Sequence, residues 1–92
     1  MPDIPESTSN YTVSKDVLTA HIDDEAVLLH LKTKRYYRLN ETGAAIWKGL
    51  EENLNLQAIV AGLVRDFEVD TEAATAEVTR VLEDLRGKEL LD

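Results

Sequence analysis

The stretch Arg35–Trp47, RYYRLNETGAAIW, contains the point at which the hydrophobic pattern of the chain changes from strand-like to helix-like. In its first part apolar and polar side chains alternate, which is typical of a strand with one buried face. After Asn40 the apolar residues Ile46 and Trp47 belong to a stripe at helical spacing. Asn40 can also accept a hydrogen bond from the free amides of a first helical turn. We therefore predict that a strand ends just before Asn40 and a helix begins at Glu41.

Two further helices are predicted downstream. Asn53 or Asn55 ends the first helix, the second follows Asn55, and the third follows Asp70, which is a good N-terminal cap. Gly87 is the expected stop of the third helix. Each helix is too short to be stable alone, so the three must pack through their apolar stripes. In the second helix this stripe comprises Leu56, Ile59, Val60, Leu63, Val64 and Phe67, and in the third it comprises Ala74, Val78, Val81, Leu82 and Leu85.

Two strands are predicted upstream. Residues 17–22 alternate, with Leu18, Ala20 and Ile22 on one face, and residues 26–31 form a short apolar run that suits a strand covered by both neighbours. Polar turns separate these strands from each other and from the strand at 35–39. We predict an antiparallel meander whose first and third strands are edges. The fold class is α+β, a three-stranded meander followed by three helices, which resembles a winged helix-turn-helix.

Length and composition favour one small domain. The chain has 92 residues, enough for one core, and 43% of them are hydrophobic. We expect a flexible N-terminal tail at 1–15, which holds both prolines, and a folded domain at 16–92. No signal peptide or membrane-spanning run is evident, and there is no cysteine. We therefore expect a cytoplasmic protein without a membrane partner.

The charge of the chain is acidic and uneven. The formal net charge is −8, and residues 40–92 hold 12 acids and 5 bases. Binding to a nucleic-acid backbone depends largely on Lys and Arg, so this composition argues against a nucleic-acid partner. A winged-helix DNA-binding regulator is the weaker alternative, because its second and third helices would be net acidic.

The residue combinations of common active sites are missing. His21 and His30 are the only histidines, both lie in predicted strands, and no group of residues has the spacing of a metal site. The four glycines do not form a phosphate-binding loop, and no nucleophile stands beside a base. We expect no catalytic residue, no metal and no cofactor, and therefore not an enzyme.

The segment Leu31–Leu39, LKTKRYYRL, is a local exception to the acidic composition, since it has four bases and no acid. Basic residues on an edge strand prevent sheets from aggregating. The same edge also suits an extended peptide that adds as a further strand, with bases that attract an acidic peptide. The two interpretations are compatible. The apolar stripe of the third helix is either core or, in part, the wall of a groove beside this strand.

The chain resembles the PqqD-like family of precursor-peptide recognition elements, which serve ribosomally made, modified peptides. The resemblance covers residues 16–92 and is most specific at 37–43. It is carried by YYRLNETGAAIW at 36–47, Ile59, Leu63, Phe67, Val69, Asp70, Leu82, Leu85, Gly87, Leu90 and Leu91. The resemblance implies a winged-helix-like domain that binds a leader peptide between its third strand and third helix.

The same resemblance suggests partners and site residues. It is closest to stand-alone lasso-peptide leader-binding proteins, which cooperate with a leader protease and a macrocycle-forming enzyme. The alternative is a peptide chaperone for a radical enzyme, as in pyrroloquinoline quinone synthesis. The peptide-binding residues expected on the third strand are Lys34, Arg35, Tyr36, Tyr37, Arg38 and Leu39. Those expected on the third helix are Ala74, Glu77, Val78, Val81, Leu82 and Leu85. If alternation holds, Tyr37 and Leu39 point into the core while Tyr36 and Arg38 point away from it.

Overall fold

The computed structural model describes residues 11–92, and it contains the three strands and three helices in the predicted order. Their bounds are β1 Val17–Ile22, β2 Glu25–His30, β3 Tyr36–Leu39, α1 Glu41–Glu51, α2 Leu56–Phe67 and α3 Thr71–Gly87. The predicted α+β class is confirmed. Three strand bounds differ by one residue from the prediction: β2 begins at Glu25 and ends at His30, and β3 begins at Tyr36. The last two differences lie at the turn between β2 and β3, in which Lys34 adopts a left-handed conformation with φ of 65°.

The strands form one antiparallel sheet in the order β1-β2-β3. Its register places Leu18 opposite Leu29 and Leu29 opposite Tyr36. The predicted meander is therefore confirmed, with β2 in the centre and β1 and β3 at the edges.

The core lies between one face of this sheet and the helices. Trp47 of α1 is fully buried, and its indole N–H donates to Oγ1 of Thr19 on β1, 2.9 Å away. Leu28 of β2 is also fully buried. These contacts turn Thr19 and Leu28 toward the helices, and consequently turn Leu18 and Leu29 to the opposite face of the sheet.

The predicted helix caps are present. Asn40, Asn55 and Asp70 each accept a hydrogen bond from the amide three residues ahead, at 2.9, 2.8 and 2.7 Å. Each cap satisfies one of the amides that a helix start leaves free, which typically stabilises the helix by about 1 kcal/mol. Asn53, with φ of 59°, lies in the break between α1 and α2. The third helix ends at Gly87, as predicted.

The two ends of the described chain are joined. Val13 pairs with Leu91, the amide of Ser14 donates to the carbonyl of Leu90 at 3.0 Å, and the amide of Asp92 donates to the carbonyl of Thr12 at 2.7 Å. Most of the tail predicted at 1–15 lies outside the described residues, but these contacts extend the packed structure to before residue 16. No helix within 11–92 is long and apolar enough to cross a membrane.

Candidate functional site

The backbone of β3 offers free hydrogen-bonding groups on one side. The amide of His30 donates to the carbonyl of Arg35 at 3.0 Å, and the register continues this pairing to Leu28 with Tyr37. In an antiparallel pair only alternate residues bond across to the neighbour. The N–H and C=O of Tyr37 therefore point toward β2, whereas those of Tyr36 and Arg38 point away from the sheet. Within the described residues, no strand pairs with this outer side of β3.

The side chains of β3 follow the predicted alternation. Tyr37 and Leu39 are half-buried and pack against the core cluster. Tyr36 has 71% of its surface exposed, and Arg38 is exposed as well. The edge thus presents one inward row and one outward row of side chains, and the paired tyrosines lie on opposite faces.

The positive charge of the segment Leu31–Leu39 is partly neutralised by ion pairs. Arg38 forms an ion pair with Glu25 at 3.1 Å, and Lys32 forms one with Asp16 at 3.5 Å. Between residues 11 and 92, Lys34 and Arg35 form no ion pair, and both are exposed. The unpaired positive charge therefore lies at the N-terminal end of β3.

The residues expected on α3 are mostly buried. Ala74, Val78, Leu82 and Leu85 have at most 2% of their surface exposed, and Val81 has 8%. Glu77 is half-buried and forms an ion pair with Arg80 at 2.7 Å, which raises the pKa of Arg80 above its ordinary value. The apolar stripe of α3 is thus core in the free chain, and Glu77 is the expected contact with the most accessible surface.

A side chain that follows α3 approaches β3, and a pocket lies beside the helix that follows β3. Lys88, just after α3, places Nζ 5.4 Å from the ring centroid of Tyr37. A pocket of about 270 Å³ opens between the first turn of α1, the end of α2 and the first part of α3. Its lining consists of Thr42, Leu63, Phe67, Val69, Ala73, Ala74 and Glu77, so it includes two of the residues expected on α3.

A larger apolar pocket of about 470 Å³ lies between α2 and α3. None of the expected peptide-binding residues lines it. Its lining consists of Leu56, Gln57, Val60, Ala61, Val64, Arg65, Thr71 and Thr75.

The comparison with protein-family models gives a match over residues 25–91, to the family described as coenzyme PQQ synthesis protein D (PqqD). This range includes most of the chain. The chain belongs to the PqqD family. No curated protein gives a match to its sequence.

Two solved structures similar to this PqqD-family chain contain bound leader peptides. The first is TbiB1 in complex with the TbiA(beta) leader peptide, at 40% identity and a TM-score of 0.84, covering 88% of this chain and 94% of that one. The second is a lasso peptide synthetase B1 complexed with the leader peptide, at 20% identity and a TM-score of 0.79, covering 90% of this chain and 96% of that one. At its lower identity, the second likeness supports the fold alone.

Sequence reasoning missed the role of His30 in this PqqD-family chain. His30 is 4% exposed; its Nδ1 accepts from the amide of Lys32 at 3.2 Å, and its Nε2 donates to the carbonyl of Glu89 at 3.1 Å. The ring therefore ties the turn that precedes β3 to the segment that follows α3. Glu89 is 59 residues away in sequence, so no local pattern indicates this contact.

His30→Ala is expected to lower the free energy of unfolding by about 2 kcal/mol, because it leaves the Lys32 amide and the Glu89 carbonyl without their partner. Urea unfolding followed by circular dichroism measures the change. His21→Ala is the control, since His21 is exposed and pairs with Glu51 at the surface. Equal stability of the two variants would contradict the bridging role of His30.

Proposed function

We propose that this PqqD-family chain captures the leader segment of a ribosomally made precursor peptide by strand addition at β3. The observation that carries the proposal is the open edge, where the backbone groups of Tyr36 and Arg38 point away from the sheet. An extended peptide beside them would form ladder hydrogen bonds, and its alternate side chains would lie on the two faces of the sheet. The leader complex of the 40% identical structure supports this proposal.

The surroundings of the edge suit a peptide that has both acidic and apolar side chains. Lys34 and Arg35 would attract an acidic residue near the N-terminal end of β3, where no ion pair neutralises them. The pocket beside Thr42 would accept an apolar side chain near the other end. Glu77 would lie at its rim, while Ala74 forms part of its wall.

The remaining residues proposed for the site lie on the core side of the β3 edge and would support the peptide from beneath. Tyr37 and Leu39 place the inner row of the edge against the core. Four buried apolar residues of α3 would form the base beneath the peptide rather than its exposed contact surface: Val78, Val81, Leu82 and Leu85.

In the proposed role the chain delivers the bound precursor peptide to other enzymes and catalyses no reaction itself. In a lasso-peptide pathway the chain would present the bound precursor to a leader protease and a macrocycle-forming enzyme. The description of the matching family favours a second candidate, in which the chain is a peptide chaperone for a radical enzyme in pyrroloquinoline quinone synthesis. The two candidates share the β3 edge and differ in the peptide that binds there.

A fluorescence-polarisation titration tests the proposal. The probe is the labelled leader of the precursor peptide encoded beside this chain, and a scrambled leader of the same composition is the control. We expect saturable binding of the leader and none of the scrambled peptide. Absence of saturation up to about 50 µM would argue against capture, because it corresponds to binding weaker than about −6 kcal/mol. The precursor of the quinone cofactor, titrated in parallel, tests the second candidate.

A second titration tests the binding mode. A leader with N-methyl groups on the backbone amides that face β3 loses those donors but keeps every side chain. It should bind at least about tenfold more weakly, because each backbone hydrogen bond contributes about 1 kcal/mol and the methyl group also obstructs approach. Unchanged affinity would show that the peptide binds without strand addition.

A further inference from the structure

Lys88 directly follows α3, and its backbone is held from two sides. Its amide donates to the carbonyls of Asp84 and Leu85 at 3.1 and 3.2 Å. The carbonyl of the next residue, Glu89, accepts from Nε2 of His30 at 3.1 Å, which ties the same segment to the turn before β3. The side chain of Lys88 therefore extends from a fixed point.

This side chain reaches the inner row of β3. Its Nζ lies 5.4 Å from the ring centroid of Tyr37 and 2.8 Å from Oδ2 of Asp84. An ion pair between residues four apart is ordinary at the end of a helix, but the contact with a tyrosine of the edge strand adds nothing to the helix. The Lys88 side chain keeps 42% of its surface exposed. An ammonium has three donors and Asp84 uses one of them, so the group is both positioned and available.

The geometry of β3 determines which leader residue would meet Lys88. The N–H and C=O of Tyr37 point toward β2, so Tyr37 would face an added antiparallel strand as a non-hydrogen-bonded pair. In such a pair the Cα atoms are about 4.5 Å apart, and the two side chains lie together on one face. The leader residue opposite Tyr37 would therefore lie beside the tyrosine ring and within reach of the Lys88 ammonium.

Charge indicates the class of that leader residue. The chain carries a net charge of −8, so its overall field opposes an acidic peptide, and an acidic leader residue needs a cation placed for it. Lys34 and Arg35 lie just before β3 without an ion pair in the described chain, and Lys88 adds a third cation at Tyr37. A carboxylate there would accept from a free donor of Lys88 beside a half-buried ring, where an ion pair is stronger than at the open surface. A basic residue would be repelled by these cations, since Asp84 is already paired.

We propose that Lys88 is a specificity-determining residue of the leader site, and that it selects a leader with Asp or Glu in the inner row opposite Tyr37. The proposal rests on the proposed function and adds the class of residue that this position accepts. The face of the Tyr37 ring attracts the ammonium. Asp84 is the positioning residue: it holds Lys88 in the empty chain and shares it with the leader carboxylate in the loaded one.

A double-mutant cycle tests the assignment. Fluorescence polarisation measures the affinity of the unmodified chain and of Lys88→Gln for the leader of the precursor encoded beside this chain. The same measurement is repeated with leaders in which each Asp is replaced by Asn and each Glu by Gln, one at a time. Lys48→Gln is the matched control, since Lys48 is exposed on α1 and lines a pocket with residues of the β1–β2 turn. Circular dichroism verifies the fold of each variant.

We expect Lys88→Gln to bind the leader at least about fivefold more weakly, because it loses a charge-assisted hydrogen bond. One leader with a single neutralised acid should lose affinity to the same extent, and combining it with Lys88→Gln should cause little further loss. Lys88→Arg keeps the positive charge and should retain most of the affinity. Lys48→Gln should bind the leader as the unmodified chain does.

Two results would overturn the assignment and leave strand capture intact. In the first, Lys88→Gln binds the leader as tightly as the unmodified chain. In the second, Lys88→Gln loses the same affinity toward every leader, or no single leader acid contributes to affinity, which would show that Lys88 supports the edge without recognising an acid. An unmodified chain that does not bind the leader would overturn strand capture and the assignment together.

Discussion

Arg38→Pro is expected to lower the affinity for the leader peptide by at least about tenfold while the domain stays folded. Proline has no amide proton and its ring occupies the space where a partner strand approaches. At position 38 the amide points away from β2, so the sheet loses none of its own hydrogen bonds. Proline is tolerated in strands at such outward edge positions. Fluorescence polarisation measures the affinity, and circular dichroism measures the fold.

Two controls separate the backbone from the side chain. Arg38→Ala removes the ion pair with Glu25 but keeps the amide, so it should cost much less affinity than proline. Tyr37→Pro removes an amide that points toward β2, and it should destabilise the fold itself. If Arg38→Pro is folded and binds the leader as tightly as the unmodified chain, the edge of β3 is not the peptide site.

Val81→Asp is expected to lower the free energy of unfolding by about 3 kcal/mol or more, because Val81 belongs to the core cluster and is 8% exposed. A carboxylate at this position would lose hydration among the apolar side chains of the core cluster. Thermal unfolding followed by circular dichroism measures the effect. For a domain of this size, a change of this magnitude lowers the melting temperature by roughly 12 °C or more.

Thr79→Asp is the matched control, since Thr79 is exposed on the same helix and receives the same side chain. Its stability should stay within about 0.5 kcal/mol of the unmodified chain. A Val81→Asp variant that melts normally but no longer binds the leader would show that position 81 faces the peptide instead of the core.

The fold follows from local patterns wherever those patterns are strong. On β3, alternation correctly predicts which side chains point inward, Tyr37 and Leu39, and which point outward, Tyr36 and Arg38. Asn40 gives the start of α1, because a cap depends only on residues within one helical turn. These features need no knowledge of the rest of the chain.

Other features of the fold depend on contacts between segments that are far apart in the chain, so the sequence alone does not predict them. Hydrophobicity alone would favour burial of Leu18 and Ile22, yet the bond from Trp47 to Thr19 turns the other face of β1 inward. His30 and Leu91 likewise depend on pairing between opposite ends of the chain. The open edge of β3 was predictable from strand order, whereas the burial of the α3 stripe depends on how closely the helices pack.

The junction between residues 12–14 and 90–92 determines how the domain would respond to tension between its two ends. Because the segments pair antiparallel, Thr12 and Asp92 lie at the outer end of the junction, and a pull on both ends would load their hydrogen bond first. The bond between Ser14 and Leu90 would be loaded next, so the junction would open stepwise. The buried side chains of Leu90 and Leu91 would then be drawn out of the core. These residues directly follow Glu89, whose carbonyl is hydrogen-bonded to His30.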